Sequence, residues 1–408
     1  MTAPTITNVS PSVAAAGTLI VVTGTGFSQV TAVKVGPAAN RVSVPPGILS
    51  DTSLSFVAPV GITGPDDIEL DYPADLVDVG GFTETAAPPP PGKIARPGFQ
   101  MRAPALPPAA YDAVIHGDIT EQPWAALEPQ EGNYVETSLD ASLKTLRAYN
   151  AAHPTTLRGS IARFNAQISV PGWLCVGSGG PVAVSSPGSV IGGQPRSGFD
   201  ARWWTPFMEG RHALLMAHFG PLIDAAPEIV RATVCGPGEI YDEVFVRFAG
   251  NVAALAAAGM TPANDEASFF VYVDNCCANL KRTSIMLDVG NYAAITSASL
   301  GSLTFTKTVV DHLIAHAPVR PTLAQASLNA GNVNQQTFAF MAGYGPHGTK
   351  QATLRMQLEP GVAGADFVTC VEAAISYGVS ELEVSSDYVN QPMATLARLD
   401  AALQANAY

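Results

Sequence analysis

Two glutamates stand at the ends of apolar, strand-like runs. The first run, Arg231-Ala-Thr-Val-Cys-Gly-Pro-Gly-Glu-Ile240, closes in a Gly/Pro turn that presents Glu239. The second, Ala352-Thr-Leu-Arg-Met-Gln-Leu-Glu-Pro360, delivers Glu359. A pair of carboxyl groups facing one substrate can divide the work of hydrolysis: one protonates a leaving oxygen while the other attacks or activates water, as cleavage of a glycosidic bond requires. Two facing carboxylates also push each other's pKa values apart, which suits one to be the acid and the other the base. A Glu beside Gly and Pro is equally at home as a solvated turn residue, so the elements that carry these two decide between the readings.

Those elements alternate. From about residue 98 onward, strand-like runs near 112–118, 156–163, 229–235, 284–290, 321–328, 352–358 and 381–387 are separated by helical patterns, with a weakly marked first strand near 99–103. The helices fall at 139–149, with Thr137 and Ser138 as cap candidates, and at 207–225, 244–258, 307–315 and 365–377, the last ended by Gly378. Alternation of this kind predicts a parallel sheet covered by helices, and eight strands predict an α/β (β/α)8 TIM barrel with chemistry at the carboxyl ends of its strands. Asp118, Arg163, Asp288, Asn329, Tyr344 and Asp387 follow apolar strand residues and are candidates for the same rim. Trp124 and Trp173 are sugar platforms or core plugs; Trp203 and Trp204, beside a Gly-rich insertion, are expected to be exposed ring binders.

The first part of the chain is different. Residues 5–59 alternate apolar and polar side chains in short runs broken by Gly, Pro and Asp, the pattern of half-buried antiparallel strands. The runs Thr5-Ile-Thr-Asn-Val-Ser-Pro11, Gly17-Thr-Leu-Ile-Val-Val-Thr-Gly-Thr-Gly-Phe27, Val33-Lys-Val-Gly36 and Asp51-Thr-Ser-Leu-Ser-Phe-Val-Ala-Pro59 resemble the IPT/TIG family of immunoglobulin-like domains. That resemblance implies an all-β sandwich serving as a spacer or adhesion module. Gly24 and Gly26 would supply turn dihedrals, and Phe27 would plug the sandwich end. Gly24-Thr-Gly26 is no dinucleotide loop, since the third glycine and the following helix are missing. Pro88 to Pro91 predict a semi-rigid polyproline II spacer. The organisation is thus multidomain: a sandwich over 1–85, a Pro-rich linker over 86–97 and the barrel over 98–408.

Trp124-Ala-Ala-Leu-Glu-Pro-Gln-Glu-Gly-Asn-Tyr134, then Leu139-Asp140, then Pro171-Gly-Trp-Leu174, is similar to the stretch after the second strand in retaining clan A glycoside hydrolases, notably the β-galactosidase-like families. The resemblance implies an acid/base after strand four and a nucleophile after strand seven, the places of Glu239 and Glu359. Clan A has Asn immediately before the acid/base, and here that residue is Gly238. The local Gly236-Pro-Gly-Glu-Ile-Tyr241 resembles the acid-bearing stretch of β-amylases instead, which are inverting barrel enzymes. The first likeness implies retention, the second inversion, and the exchange at Gly238 favours a barrel that binds a glycan without cleaving it.

Other functions are excluded or weakened. The formal charge of −13 and the lack of any basic run argue against nucleic acid as a partner. Cys175, Cys235, Cys276, Cys277 and Cys370 form no metal-ligand spacing and are expected to be mostly free and buried. No cofactor or metal is expected: His312-x-x-x-His316 has helical ligand spacing, but no third ligand is evident and two solvated histidines are the simpler reading. The first residues show no secretory signal, and no apolar run reaches the roughly 18 residues of a membrane helix. Six of the 21 basic residues are Lys, and Ala, Gly and Pro abound, a GC-rich coding style. An adhesion-type sandwich on a glycosidase-like barrel in that style points to a phage tail protein of the virion, with an extracellular bacterial protein as the alternative. Its partners would be a cell-envelope polysaccharide and other tail proteins, possible homo-oligomer formation included.

Overall fold

In the computed structural model the chain divides into two compact units, Met1–Pro91 and Gly92–Tyr408. The structure describes residues 4–10, 13–15, 19–36, 41–44, 46–58, 64–72, 75–85, 93–94, 96–102, 109–186, 196–234, 236–240, 243–296 and 301–407. The four consecutive prolines and Cys235 lie outside them.

The first unit is a pair of sheets. One has the order Thr5–Ser10, Leu19–Thr25, Ser53–Val57, Gly47–Ser50, all antiparallel. The other runs Val13–Ala15, Asp75–Thr85, Gly64–Tyr72, Ala32–Gly36, Val42–Val44, antiparallel except for its first pair. Period-two burial follows from the alternation: Ile20, Val22, Val33, Val35, Leu54, Phe56, Ile68 and Leu70 form one core with Phe27, which is fully buried. Gly26 has φ 81° at the turn, and a Cβ on Gly24 would sit 1.8 Å from the Thr5 carbonyl oxygen. Both glycines are therefore required, and Phe27 is the plug the sequence predicts.

The second unit is a closed parallel barrel. Its strands in order are Gly98–Met101, Ile115–Pro123, Gly159–Asn165, Ile229–Thr233, Ser284–Asp288, Thr322–Leu328, Thr353–Leu358 and Glu381–Val384, called here strands one to eight. All eight lie near the expected places, though strand two is shifted and runs to residue 123 rather than 118. Lys93 and Ile94, expected in the linker, bond to the barrel unit: Lys93 Nζ donates to the carbonyls of Ile223 and Ala226, and Ile94 N to that of Pro227.

Side chains of alternate residues fill the barrel, and its interior is divided. Ile119, Ile161, Met286 and Ala324 make a small apolar cluster from strands two, three, five and six. The interior also holds ion pairs, two of which join strands that are not neighbours and so must cross it. Arg163 of strand three meets Glu383 of strand eight at 2.9 Å, and Arg231 of strand four pairs with Glu381. Arg355 of strand seven reaches Glu383 at 2.5 Å. Burial alone would raise the pKa of Glu383, but the guanidiniums of Arg163, Arg355 and Arg102 outweigh it and hold the carboxyl below its usual range.

The helix layer is set by local signals. Thr205 caps helix Pro206–Ala225 with Pro206 in its first turn, and Thr261 with Asn264 makes a reciprocal capping box on helix Pro262–Asn279. Helix Gly364–Ser376 ends as expected at Gly378, whose φ is 87°; Gly378 N bonds to Ile375 O and Val379 N to Ala374 O, satisfying the orphan carbonyls. Two expectations need correction. Thr137 and Ser138 lie inside helix Glu136–Ala152, whose first residue follows Val135 with no side-chain cap. The helix expected at 244–258 is confined to Val252–Ala257, because residues 243–251 form a loop whose groups bond elsewhere. Helices Pro262–Asn279 and Met393–Ala405 were not expected. Among the described residues, no helix is long and apolar enough to cross a membrane.

Candidate active site

Glu239 and Glu359 follow strands four and seven of the barrel. The turn after strand four depends on Gly236: its φ is 147°, and a Cβ there would lie 1.9 Å from Cδ1 of Tyr272. Glu239 then turns into the protein. It is 1% exposed, and its Oε2 accepts from Asn251 Nδ2 at 2.6 Å and from Phe248 N at 3.1 Å. Asn251 in turn exchanges bonds with the backbone of Ser185, accepting from its N at 2.9 Å and donating to its O at 3.1 Å. Burial raises the pKa of Glu239, with Asn251, Arg247 and Phe248 opposing. Asp200, on the strand that pairs with Ser185's own, is raised well above its usual value by burial and then by Glu239.

Glu359 is held differently. Its backbone N bonds to Leu328 O at 2.9 Å, and its Oε2 accepts from Asn329 Nδ2 at 2.7 Å. Asn329 gets there through an irregularity in strand six, where the register shifts between Gln325 and Leu328 and Ser327 takes φ 66°. The strand end is thereby re-aimed toward its neighbour.

Arg163 is the hub of the interior near the carboxyl ends. Besides Glu383 it donates to Glu121 Oε1 at 3.3 Å and to Gln357 Oε1 at 3.5 Å. Asn165 also donates to Glu121, whose side chain is 45% exposed. Gln357 precedes Glu359 by two residues and shares its side of strand seven, and Asp288 shares the interior side with Met286 at the end of strand five. Arg163, Asp288, Asn329 and Glu359 are thus gathered at the carboxyl ends. Glu121, Asn165, Gln357 and Glu383 join them and were missed; the period-two rows Arg355/Gln357/Glu359 and Glu381/Glu383 carried the signal for two of them.

A cavity of about 420 Å³ opens at the ends of strands five and six. Asn291, Gln325, Gln335 and Gln336 line it together with Arg247 and Gly290. Arg247 presents no spare charge to it, since its guanidinium is bound to Asp265 and to the carbonyls of Val244 and Val246. The lining is therefore rich in neutral amides. Arg247 lies one residue from Phe248, a donor to Glu239, and Gln335 N bonds to Asn332 O in the loop that starts with Asn329. The loops that hold the two carboxylates thus both contribute to the cavity wall, while Glu239 and Glu359 themselves do not line it.

The other expected site residues are elsewhere. Trp124 is 1% exposed and donates to Glu128 Oε2 at 3.0 Å, so no ring face is left for a sugar. Glu128, itself fully buried, also accepts from Gly132 N and from Arg211, so the Trp-x-x-Leu-Glu-Pro-x-x-Gly stretch acts as a structural clasp. Trp173 is half-buried under the Arg211 guanidinium, 5.1 Å from its ring centre. Trp203 and Trp204 are buried and packed edge to face, a correction to their expected exposure that follows from Trp203 bonding to buried Asp265. Asp118 faces the helix layer: its strand neighbour His116 on the same side bonds to Asp400 of helix Met393–Ala405. Tyr344 gives its hydroxyl to Asp311 of helix Leu303–His316 at 2.7 Å, outside the barrel mouth. Asp387 sits in the turn Ser386–Asn390, and its side chain lies outside the described residues. Cys175, Cys277 and Cys370 are free and buried, and Cys276 is buried.

Comparisons with known proteins follow the same division. Residues 4–82 match the IPT/TIG domain. No curated protein of related sequence matches the chain. Among solved structures, the catalytic domain of β-amylase from Paenibacillus polymyxa is similar, at 9% identity over 76% of this chain and 98% of that one, with a TM-score of 0.51. A family 39 glycoside hydrolase from Bacteroides cellulosilyticus WH2 (9% identity, 98% and 83% covered, TM-score 0.40) and endo-glycoceramidase II from Rhodococcus sp. (11%, 71% and 72%, 0.36) are also similar. At such identities the likeness is one of fold. The chain is an IPT/TIG domain followed by a closed, eight-stranded parallel barrel whose structural neighbours are glycoside hydrolases.

Proposed function

We propose that the barrel is a glycoside hydrolase-type domain acting on a cell-surface or extracellular polysaccharide, with Glu239 as general acid/base and Glu359 as nucleophile or base. The observation that carries this reading is the amide-lined cavity to whose wall the loops that hold the two carboxylates both contribute. Neutral amides that donate and accept match sugar hydroxyls without demanding a charge on the ligand. A raised pKa suits Glu239 to carry the proton a leaving oxygen needs. Asn329 keeps Glu359 oriented at the other side.

Glu239 reaches a substrate only after Asn251 and the Phe248 amide release it, which requires the 243–251 loop to move. This favours a second reading in which the barrel holds the glycan without cleaving it. One experiment separates the two: reducing-end release from a panel of envelope and matrix polysaccharides, run beside a binding assay. A hydrolase loses about 10²-fold or more of its turnover in Glu239→Gln and Glu359→Gln at unchanged circular dichroism. Undiminished turnover in either variant removes that residue from the mechanism, and binding without release establishes the second reading.

The pairing of an IPT/TIG domain with a carbohydrate-type barrel supports a place among the tail proteins of a phage virion, attached to other virion proteins through the sandwich and able to form homo-oligomers. Mass spectrometry of purified virions tests this, and detection only in bacterial culture fluid would point to the extracellular alternative.

A further inference from the structure

The helical pair His312 and His316 offers two imidazoles at the end of helix Leu303–His316, and the fold supplies what the sequence lacked. Asp274, on the neighbouring helix Pro262–Asn279, brings its Oδ1 to 2.6 Å from His312 Nε2. The two rings lie 4.1 Å apart at 32°, and one ligand atom from each of the three side chains lies within 4.8 Å of the others. We propose that Asp274, His312 and His316 form a binding site for a divalent transition-metal ion of the zinc class.

The donors are already arranged for this. His316 Nδ1 is 2.8 Å from the His312 carbonyl oxygen, which can only accept, so Nδ1 carries the hydrogen and Nε2 keeps its lone pair. Phe270 packs edge-on against the His312 ring at 5.1 Å and limits its rotation. Ligands at zinc distances of about 2.0–2.1 Å stand about 3.3 Å apart around a tetrahedron. The Asp274–His312 contact needs to open by less than about 1 Å to admit the ion, and half-buried or exposed side chains achieve that by small rotations. Binding replaces the hydrogen that His312 Nε2 now shares with Asp274; in a neutral imidazole that hydrogen moves to Nδ1, and the Nε2 lone pair becomes available to the ion. Three protein ligands leave a fourth position for water. The ion would tie the helix after strand four to the helix after strand five, a clamp on the outer layer that is independent of the proposed sugar chemistry.

The test uses the untagged full chain, stripped with chelator and titrated with zinc chloride by calorimetry, with cobalt(II) absorption as a second readout. One zinc ion per chain is expected, with a rise of roughly 5 °C in the melting temperature at 100-fold excess over Kd. The cobalt spectrum should lack thiolate charge-transfer bands, which separates this site from the four buried cysteines. Asp274→Asn, His312→Ala and His316→Ala should each weaken binding at least 10-fold, while His153→Ala, on another helix end, should leave it unchanged. Equal zinc affinity in the wild type and in the His312→Ala/His316→Ala double variant, or thiolate bands in the cobalt spectrum, would overturn the proposal.

Discussion

Asp118 shows how one side chain can be placed correctly on its strand and still belong to another environment. Its burial against the helix layer drives its pKa up to about 6, with the Ser160 hydroxyl and Arg158 opposing. The folded protein therefore favours the protonated carboxyl more than the unfolded chain does. Its contribution to stability is fully present below the unfolded pKa near 4 and is lost as pH rises through about 6. Asp118→Asn keeps the shape and removes the titration. Urea unfolding should show the variant gaining on the wild type by on the order of 2–3 kcal/mol between pH 4 and pH 8; parallel pH profiles would mean the group is not desolvated. At this scale the sequence was least informative. The type of Trp203 or Tyr344 is visible, but whether its ring meets solvent depends on partners far along the chain, Asp265 for Trp203 and Asp311 for Tyr344.

Among the elements, the turn after strand four is the most constrained. Gly236→Ala adds a methyl group inside the Tyr272 ring and forces an L-residue to φ 147°, at a cost of roughly 3 kcal/mol. The variant should show that loss in chemical denaturation and, because the turn delivers Glu239, should lose function beyond what its folded fraction explains. Retained stability would mean that the turn relaxes. Strand positions were legible because apolar runs of the right length recur between helical patterns, and the numbering that puts Glu239 after strand four and Glu359 after strand seven is the one the resemblance to clan A glycoside hydrolases implied. Helix Pro262–Asn279 was missed because Phe269 to Val273 is an aromatic and β-branched run with strand-like propensity, overridden by packing. Leu396, Leu399 and Leu403 do carry a helical spacing that marks the last helix. The 244–258 pattern misled because Phe248 N and Asn251 serve a carboxylate nine and twelve residues earlier, a demand no local rule records.

For the molecule as a whole, the barrel interior combines a small apolar cluster with a network of buried ion pairs. Glu383 is the shared acceptor for Arg163 and Arg355, and Arg102 approaches at 3.8 Å. Its carboxyl is held below the usual range, so its contribution to stability is present above the unfolded pKa and is lost as pH falls through the lower folded value. Glu383→Gln strands buried guanidiniums and should cost about 3–5 kcal/mol near neutrality, with a flatter acid limb in the stability profile. A variant as stable as the wild type at both pH 7 and pH 3 would remove the cluster from the forces that hold the barrel. The sequence showed that a barrel would form and left unseen which residues would meet across it.

The bond pattern of Asn251 also links two equilibria. One amide serves Glu239 and both backbone groups of Ser185, so a departure of the strand pair Val182–Ser186/Arg196–Asp200 and a release of the carboxylate draw on the same bonds. Linkage makes the effect reciprocal: whatever loosens that strand pair lets water reach Glu239 and returns its acidity toward that of an ordinary glutamate, and whatever ionises Glu239 in place shifts the docking of the strand pair by the same free energy.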